Sequence, residues 1–469
     1  MTAGYSSSFS YPIRRVATMT GGFVYLDGKR RRTPRPVTSV SIDSRACSAG
    51  SLFVALRGEQ CDGHDYVAAA VKNGASAVLV DTVHFPQVQH DLASHASVGV
   101  IVVENTLKGL QSFASAHVAQ YPHVTKIGVT GSCGKTTTKE LVGAILSCMG
   151  ETVRTPGNLN SEIGLPLSVL QVGPRTEFGV FEMGVDHIGE MDSMLGVWRP
   201  DYGILTNIGI SHVGKMGNVE NIAREQSKIF HQGLKRGFIA ETCEWRTWID
   251  ALRNCELRQF GPTTTSGFKG AEDLGLDGWE ISYAGTRMRL KCVGRHSLLD
   301  ALAAIEVARE IGATSDQIKA GIEKMSPIEG RSKVLNGDVT IIEDCYNASV
   351  DSTGNILDYL GSVRWLGEKK VVLGSMKELG PLSRSAHEAV GRKILAVDPK
   401  STFLYGREME SAWNLLKRSG YDRKLFFTDD YQELESAVQG DTRKGDLFLL
   451  KGSRAMAMER LVPAIRAIG

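Results

Sequence analysis

The sequence predicts an α/β protein of three domains, and three observations support this prediction. The length of 469 residues corresponds to about three domains at roughly 150 residues each. Apolar strand-like runs alternate with helical stretches along most of the chain, as in parallel sheets covered by helices. The alternation breaks near residues 115–125 and 320–330. We therefore expect domains at 1–120, 121–325 and 326–469.

Composition and charge exclude several classes of protein. Lys and Arg number 54 and Asp and Glu 52, whereas a dedicated nucleic-acid-binding protein normally has a large basic excess. No apolar run approaches the roughly 18 residues of a membrane span, and the first residues lack the apolar segment of a secretory signal. Eight cysteines without a CxxC pair favour reduced thiols. We expect a cytoplasmic monomer without nucleic-acid or membrane partners.

The first domain begins with little pattern. Its first 30–40 residues are polar and end in the basic run Lys29–Arg32. We predict an irregular lead-in there, with a phosphate-steering patch as the alternative. Strands are then predicted at 51–56, 77–80 and 98–103, and helices at 66–73 and 106–119.

The other two domains show the same alternation. In the second, strands are predicted at 126–130, 177–182 and 202–207, and helices at 136–149, 188–194, 219–230 and 298–311. The Gly- and Thr-rich residues 261–292 are typical of a hairpin-bearing extension of the central sheet. In the third domain, strands are predicted at 339–343, 370–374, 402–405 and 446–451, with a closing helix at 455–468.

A phosphate-binding loop is the clearest chemical motif. Residues 127–138 read IGVTGSCGKTTT, a strand followed by a Gly-rich turn and a helix start. Backbone N–H groups of such a turn and the helix N-terminus bind phosphate, the lysine offsets its charge, and the next hydroxyl ligates Mg²⁺. Val129 stands where the strict GxxxxGK[ST] pattern has its first glycine, so a structural turn is the alternative. The predicted ATP-binding loop consists of Thr130, Gly131, Ser132, Cys133, Gly134, Lys135, Thr136 and Thr137.

The loop alone does not select a reaction, although the absence of an N-K-x-D sequence disfavours a GTPase. Other segments do select one: SLFVALRGEQCDGHDY (51–66), TPGNLNSEIGLPL (155–167), FEMGVDHIGEM (181–191), EDCYNASVDS (343–352) and LLKGSRAMAMERLV (449–462). Together with the loop they resemble the Mur ligases of bacterial peptidoglycan synthesis. The resemblance runs from about residue 40 to residue 465.

The resemblance implies an architecture and a reaction. A central P-loop ATP-binding domain with a parallel sheet is flanked by an N-terminal UDP-substrate domain and a C-terminal Rossmann-like domain. With ATP and Mg²⁺, a peptide carboxylate becomes an acyl phosphate, which an incoming amine attacks. Among these ligases, the member that joins D-alanyl-D-alanine to UDP-N-acetylmuramoyl-tripeptide is favoured by three motifs, GNLNxxIGLPL, YNA and KGSRAMxME.

The resemblance also assigns roles to individual residues. Thr136 and Glu182 would hold Mg²⁺ and His212 a second Mg²⁺, and Lys135, His212 and Arg331 would be catalytic. Further ATP contacts would be Ser297, Asp300, Arg331 and Asp344. Substrate contacts would be Asp43, Ser44, Arg45, Thr155, Asn158, Asn160, Tyr346, Asn347, Lys451, Ser453 and Arg454.

Several of these residues have plain structural alternatives. Glu182 could cap a helix, His212 could be a structural histidine, and Arg331 and Asp344 could be surface ion-pair partners. His387 could be a substrate contact or part of a solvated helix face, and an inert thiol is expected at Cys345.

The sequence departs from the family pattern in two motifs. Most of these ligases have a carbamylated lysine that helps to hold the second Mg²⁺, where this chain has Gln226. Lys228 lies about 200° further round the helix and should not reach the same spot, whereas Glu225 is only about 100° away. We therefore expect a weaker second metal site.

The second departure concerns the pattern H-N-x-x-N, which appears here as His296-Ser297-Leu-Leu-Asp300. Ser297 and Asp300 can still form hydrogen bonds, but an Asn amide presents a donor and an acceptor together. The preference for adenine is thus less certain, and a simple helix start with Ser297 as N-cap is the alternative.

Two rival functions remain open at this stage. A folylpolyglutamate synthase would use the same ATP chemistry, but the α/β domain before the phosphate loop disfavours it. A non-catalytic nucleotide-binding homologue is suggested by Gln226, Ser297 and Asp300.

Overall fold

The computed structural model describes residues 9–25, 35–58, 60–92, 98–253 and 255–467. The basic run Lys29–Arg32 lies outside these residues. The chain divides into two compact units. Unit 1 comprises Met1–Gly128, Gly150–Gly184 and Glu190–Asp201, and unit 2 comprises Val129–Met149, Val185–Gly189 and Tyr202–Gly469.

The N-terminal part of unit 1 is a five-stranded sheet with helices. Its strand order is β1-β5-β4-β3-β2, parallel except for β1, which runs antiparallel to β5. Strands β3, β4 and β5 are buried along their whole length, which explains their continuous apolar sequences. The elements are α1 (Ile13–Thr20), β1 (Phe23–Tyr25), β2 (Ser39–Ser41), β3 (Ser51–Val54), α2 (Val67–Lys72), β4 (Ala77–Asp81), α3 (Phe85–Asp91), β5 (Gly99–Val103) and α4 (Thr106–Val118).

The prediction of an irregular lead-in is wrong for residues 13–25, which form α1 and β1. Helix α1 buries Ile13, Val16, Ala17 and Thr20, whose spacing of three and four residues places them on one face. Before the helix, the Tyr11 hydroxyl lies 2.9 Å from Nδ1 of the buried His117 on α4. The polar composition of the segment concealed this short amphipathic pattern.

The middle of the chain contributes to both units. In unit 1, β7 and β8 pair in parallel, and in unit 2, β9, β10 and β11 form a parallel set in that order. The elements are β6 (Thr125–Thr130), α5 (Lys135–Leu146), β7 (Thr152–Arg154), α6 (Gly164–Val169), β8 (Phe178–Glu182), α7 (Glu190–Val197), β9 (Tyr202–Leu205), α8 (Val213–Met216), α9 (Val219–Ser227), β10 (Arg236–Ala240), α10 (Arg246–Arg253), β11 (Leu257–Phe260), β12 (Phe268–Asp273), β13 (Trp279–Tyr283), β14 (Thr286–Leu290), α11 (Arg295–Ile311) and α12 (Ser315–Lys324).

Residues 268–290 form a separate three-stranded antiparallel sheet, β12-β13-β14, and not the expected extension of the central sheet. The tight turn between β13 and β14 has two left-handed residues, Ala284 (φ 47°) and Gly285 (φ 82°). Such turns match the twist of a two-stranded hairpin. The segment therefore closes on itself.

The C-terminal part of unit 2 is a six-stranded sheet of order β15-β16-β20-β17-β18-β19. It is parallel except for β15, which is antiparallel to β16. The elements are β15 (Lys333–Leu335), β16 (Thr340–Asp344), α13 (Val350–Ser362), β17 (Lys369–Gly374), α14 (Ser383–Val397), β18 (Ser401–Tyr405), α15 (Glu410–Arg418), β19 (Lys424–Thr428), α16 (Tyr431–Asp441), β20 (Leu447–Lys451) and α17 (Leu461–Arg466).

The last helix begins later than the sequence predicts, at Leu461 and not at Ala455. Two 3₁₀ turns, Arg454–Met456 and Met458–Arg460, precede it. Ala457 between them has a left-handed φ of 46°, a conformation that interrupts a right-handed helix.

All eight cysteines are free thiols, as the sequence predicts. None of the helices in the described ranges combines the length and the apolar character needed to cross a membrane.

Candidate active site

The phosphate loop has the predicted strand–turn–helix form in unit 2. Gly131 has a φ of 138°, and Gly134, the N-cap of α5, has a left-handed φ of 81°. A Cβ at Gly131 would come within 2.0 Å of the Thr206 hydroxyl, and one at Gly134 within 2.4 Å of a carboxylate oxygen of Asp300. Both positions therefore require glycine, for the backbone angle and for space.

Residues after β9 hold the loop in this shape. The Asn207 side-chain oxygen accepts a 2.8 Å hydrogen bond from the Cys133 N–H, and its carbonyl accepts one from the Ser132 N–H. The Thr206 hydroxyl donates to the carbonyl of Cys133. Lys135 bends over the loop, and its Nζ donates to the Gly131 carbonyl at 2.5 Å. Sequence reasoning missed Thr206 and Asn207, although both follow a strand end, where open α/β sheets bind ligands.

Arg331 reaches the same loop from the segment before the C-terminal sheet. Its Nη2 donates to the Thr136 hydroxyl at 3.2 Å, and its guanidinium lies 3.9 Å from the centre of the Tyr346 ring. The Tyr346 N–H donates to the carbonyl of Gly330, which fixes the ring under the arginine. Unit 2 thus brings Lys135, Thr136, Arg331 and Tyr346 into one place, and within the part of the chain that the structure describes Arg331 forms no surface ion pair.

Asp344 is also not a surface ion-pair partner, because it is buried at the end of β16. Its Oδ2 accepts a 2.6 Å hydrogen bond from Nζ of the buried Lys451, and its Oδ1 accepts one from the Ser332 N–H. Lys451 donates a second hydrogen bond, to the Asn347 carbonyl. The pair joins the carboxyl ends of β16 and β20.

The remaining residues predicted to contact substrate in the C-terminal part of the chain each have a different partner. Asn347 is exposed, and its side-chain oxygen accepts a hydrogen bond from the Ala348 N–H. Ser453 accepts one from the Lys377 N–H, and exposed Arg454 pairs with Glu459. Cys345 is buried and donates to the Leu450 carbonyl. Burial raises the pKa of its thiol, which agrees with an inert role.

Ser297 and Asp300 both face inward from α11. Ser297 is not the helix N-cap: Gly294 has that position, and the Ser297 hydroxyl donates to the Val293 carbonyl. The helix begins three residues earlier than predicted, because Gly294 permits the φ of 85° at which the chain enters it. Ser297 is therefore an early helical residue bonded to its own backbone.

Asp300 lies against the phosphate loop. Its Oδ1 accepts a 3.2 Å hydrogen bond from the Thr138 hydroxyl in the first turn of α5. Its Oδ2 is buried and has no hydrogen-bond partner among the described residues. Burial raises the pKa of the carboxyl to about 8, since the charged form is poorly solvated there. The carboxyl is therefore largely protonated near neutral pH.

His212 lies just before α8 in a left-handed conformation, with φ 61°. Its Nδ1 is 2.5 Å from Oε2 of Glu378 in the C-terminal part of unit 2. Burial and the nearby Lys135 charge lower the pKa of the imidazole, which favours the neutral form that can ligate a metal. Sequence reasoning missed Glu378, which has no signal beyond its place after a strand.

Gln226 is buried on α9 and turns towards the phosphate loop. Its Nε2 is 3.4 Å from the Ser132 hydroxyl, and its Oε1 has no hydrogen-bond partner within the described ranges. Lys228 pairs with Glu225 at 2.6 Å. The Glu225 carboxylate is thus held by Lys228.

His387 is neither solvated nor open to a substrate, so both expectations for it are wrong. It is fully buried. Its Nε2 accepts a hydrogen bond from the Met376 N–H at 3.0 Å, and its Nδ1 lies 2.7 Å from the Ser383 carbonyl. It therefore holds the turn between β17 and α14.

Unit 1 brings three other predicted residues together. Glu182, at the end of β8, accepts a 2.7 Å hydrogen bond from Nδ2 of Asn160, and its N–H donates to the Thr155 hydroxyl. Asn158, on the same loop as Asn160, is exposed. The loop predicted to face the substrate is thus tied to the predicted metal ligand.

The predicted UDP segment forms a separate 3₁₀ turn in unit 1. Asp43 caps the turn and pairs with the exposed Arg45 at 2.8 Å. Ser44 is buried, and its carbonyl accepts a hydrogen bond from Asn73. The exposed Arg45 is the member of this segment that is open to solvent.

The residues of unit 2 fit a nucleotide with Mg²⁺. Two glycines leave space that a Cβ would fill, Lys135 bends over the loop while Arg331 contacts the neighbouring Thr136 hydroxyl, and a buried amide oxygen on Gln226 has no hydrogen-bond partner among the described residues. Oxygen donors of this kind suit Mg²⁺.

Comparisons with known proteins agree with this geometry. Three family models match consecutive segments: the Mur ligase family, catalytic domain at residues 36–118, the Mur ligase middle domain at 129–308, and the Mur ligase, glutamate ligase domain at 330–454. A UDP-N-acetylmuramoyl-tripeptide–D-alanyl-D-alanine ligase from Treponema pallidum is 35% identical over 93% of this chain and 95% of the relative.

Solved structures give the same result. MurF from Acinetobacter baumannii matches with a TM-score of 0.85 and 25% identity over 98% of this chain and 99% of that one. MurF ligase from Thermotoga maritima, in complex with ADP, matches with a TM-score of 0.76 and 27% identity over 91% and 97%. The chain therefore belongs to the Mur ligase family, in the group of UDP-N-acetylmuramoyl-tripeptide–D-alanyl-D-alanine ligases.

Proposed function

We propose that the chain joins D-alanyl-D-alanine to UDP-N-acetylmuramoyl-tripeptide with the hydrolysis of ATP to ADP and phosphate. One observation carries the proposal beyond family membership. Arg331 donates to the hydroxyl of Thr136, the residue next to Lys135. Two cations from distant parts of the chain thus meet at the start of α5, where the terminal phosphates of a bound nucleotide would lie.

The reaction requires two anions, a carboxylate and a γ-phosphate, to approach each other. Lys135 and Arg331 offset this repulsion, and the backbone N–H groups of the loop orient the phosphates. Mg²⁺ supplies further charge neutralisation when bound. We assign Thr136 and Glu182 as candidate ligands of one Mg²⁺ and His212 as a candidate ligand of a second Mg²⁺, with Gln226 as a neutral oxygen donor at the second site.

Other residues have supporting roles in this proposal. Asp344, held by Lys451, would accept hydrogen bonds from the ribose, and Ser297 and Asp300 remain candidates near the nucleotide. Neither of the last two matches the Asn of the family, so the preference for adenine rests on the family alone.

The substrate contacts follow the resemblance. In unit 1 they are Asp43, Ser44 and Arg45 for the UDP portion and Thr155, Asn158 and Asn160 for the muramyl part. In unit 2 they are Tyr346, Asn347, Lys451, Ser453 and Arg454 for the peptide and the dipeptide. We further propose a cytoplasmic monomer with domains at 1–120, 121–325 and 326–469, to be checked by sedimentation and limited proteolysis.

The test is a coupled assay of ADP release with UDP-N-acetylmuramoyl-tripeptide, D-alanyl-D-alanine, ATP and Mg²⁺, with the product identified by mass spectrometry. We expect ADP release to require all four components, and the product mass to be that of the tripeptide substrate plus the dipeptide minus one water.

Two outcomes would contradict the proposal. ADP release that depends on a folate and glutamate would indicate a folylpolyglutamate synthase. Nucleotide binding without turnover on either substrate set would indicate a non-catalytic homologue.

A further inference from the structure

Glu378 links the C-terminal sheet to a candidate metal ligand. It follows β17, and its Oε2 lies 2.5 Å from Nδ1 of His212. Its carbonyl accepts a 3.1 Å hydrogen bond from the N–H of Gly214, the second residue of α8. Side chain and backbone of one residue therefore both contact the segment that carries His212.

The backbone around Glu378 and the backbone of α8 approach each other closely. A Cβ at Gly214 would come within 2.8 Å of the Glu378 carbonyl, and one at Gly380 within 3.0 Å of Gly214 Cα. Glu378 itself has a left-handed φ of 66°, which is costly for a residue other than glycine. Close backbone approach and local strain together indicate that the position of this carboxylate is held by the surrounding structure.

The two residues before Glu378 are anchored. The Met376 N–H donates to Nε2 of the buried His387, and the Lys377 N–H donates to the Ser453 hydroxyl. The Lys377 side chain pairs with Glu408 at 2.6 Å. The carboxylate is thus presented to His212 by a rigid turn of the C-terminal sheet.

We propose that Glu378 is a positioning residue for His212: it holds the Nδ1 proton, and leaves the Nε2 lone pair directed to a divalent cation. Metal-binding histidines commonly donate their other ring N–H to a carboxylate, which fixes the tautomer and strengthens the ligand. The proposal rests on the proposed function, in which His212 is a metal ligand.

The charge of Glu378 also bears on Gln226. The family's carbamylated lysine is an anion, and Gln226 offers a neutral oxygen. A carboxylate 2.5 Å from Nδ1 of His212 makes the imidazole a stronger ligand and adds negative charge beside the site. Because Glu378 belongs to the C-terminal sheet, the strength of this metal site depends on the docking of that sheet against α8.

The test measures Mn²⁺ binding, not turnover. Full-length protein is titrated with Mn²⁺ in the presence of a β,γ-methylene ATP analogue and UDP-N-acetylmuramoyl-tripeptide, and free Mn²⁺ is counted by electron paramagnetic resonance. The variants are E378A, E378Q, H212A and the double variant H212A/E378A, with E410Q as the control at an exposed carboxylate on α15. Spin-echo modulation from ¹⁵N-labelled histidine reports directly on a histidine–metal bond.

We expect E378A to weaken the weaker Mn²⁺ site about tenfold or more and to leave the tighter site unchanged. E378Q, whose amide oxygen can still accept a hydrogen bond from the Nδ1–H, should retain part of the affinity, and E410Q all of it. The double variant should bind no more weakly than H212A, since Glu378 acts through His212. Melting temperatures identify a variant that fails to fold, and E378Q then carries the test.

Three results would overturn the inference. Unchanged Mn²⁺ affinity in E378A and E378Q would remove any role for Glu378. Additive losses in the double variant would make Glu378 an independent ligand. A missing ¹⁵N signal together with an unaffected H212A would show that His212 is not a ligand, so that the metal role in the proposed function fails as well.

Discussion

Two regions of the molecule bring histidines and carboxylates together, and they are built differently. In unit 1, the Asp81 cluster consists of Arg57, Asp62, His64, Asp81 and His84. Nδ1 of His64 lies 2.6 Å from a carboxylate oxygen of Asp62, and Nε2 of His64 accepts a hydrogen bond from the Asp81 N–H. Nδ1 of His84 lies 2.9 Å from one carboxylate oxygen of Asp81, and Nη2 of Arg57 lies 2.7 Å from the other. The polar groups of this cluster therefore form hydrogen bonds and ion pairs with one another.

The site in unit 2 contrasts with this cluster. Oε1 of Gln226 and Oδ2 of Asp300 are buried without partners among the described residues, and His212 and Glu378 both have left-handed backbones. Three side chains of the Asp81 cluster have the right types and spacing for a metal, but their atoms are already paired. Unsatisfied and strained groups, and not residue types alone, distinguish a site that awaits a ligand from a structural network.

The comparison predicts that removing a cation from the phosphate loop affects chemistry and not stability. We expect K135A to lower kcat by at least about 10²–10³, the usual effect of deleting a group that stabilises developing charge. Steady-state assays and a melting curve measure the two effects. The exposed Lys324 provides the control variant K324A, and a K135A enzyme with normal turnover would contradict the assignment.

The opposite result is expected in the Asp81 cluster. Burial by itself raises the pKa of Asp81, but hydrogen bonds from His84 and the nearby His64 and Arg57 outweigh it and lower the pKa to about 2. D81N should reduce the free energy of unfolding by about 2 kcal/mol at pH 7 and leave kcat within twofold.

The pH dependence sharpens this second prediction. A lowered folded pKa means that Asp81 contributes stability above its ordinary pKa and loses it as the pH falls towards 2. Urea unfolding curves of the wild type and D81N should therefore converge at low pH. A difference that stays constant from pH 7 to pH 3 would show that the charge is not responsible.

A third prediction concerns the missing anion near the phosphate loop. With bicarbonate present, Q226K should lower the Mg²⁺ concentration for half-maximal activity several-fold, because a carbamylated lysine would supply the carboxylate that Gln226 lacks. Activity titrations with and without bicarbonate measure the effect. An unchanged Mg²⁺ dependence would refute the idea that the second site is weakened by Gln226.

The smallest expected effect is that of D300N, which restores the asparagine of the family. The folded pKa of Asp300 is raised to about 8, so the folded state retains a proton that the unfolded state releases above about pH 4. The contribution of the Asp300 carboxyl to the free energy of unfolding therefore falls as the pH rises from about 4 to 8. D300N should gain about 2–4 °C in melting temperature over the wild type at pH 8, and less at pH 5.5. An equal difference at both pH values would contradict the raised pKa.

Much of the fold was predictable from local pattern. Strands β3, β4 and β5 are largely apolar runs, and the loop from Gly131 to Thr136 has a strand before it and a helix after it, so local sequence specifies both. Two predictions of secondary structure were wrong for local reasons. Helix α1 was missed because it is short and polar in composition, and the last helix was predicted to begin too early because Ala457 interrupts a segment of otherwise helical sequence.

The sequence by itself determined the domain type, the phosphate loop and, through its motifs, the family. Only the tertiary structure showed that Arg331 touches Thr136, that Asp300 lies buried under Gly134, that His387 is structural, and that Glu378 meets His212. These residues lie far apart in the chain, and their partners are fixed by the packing of whole sheets and helices. A hydrogen bond between distant side chains depends on that packing, whereas a strand or a helix start depends on its own neighbours.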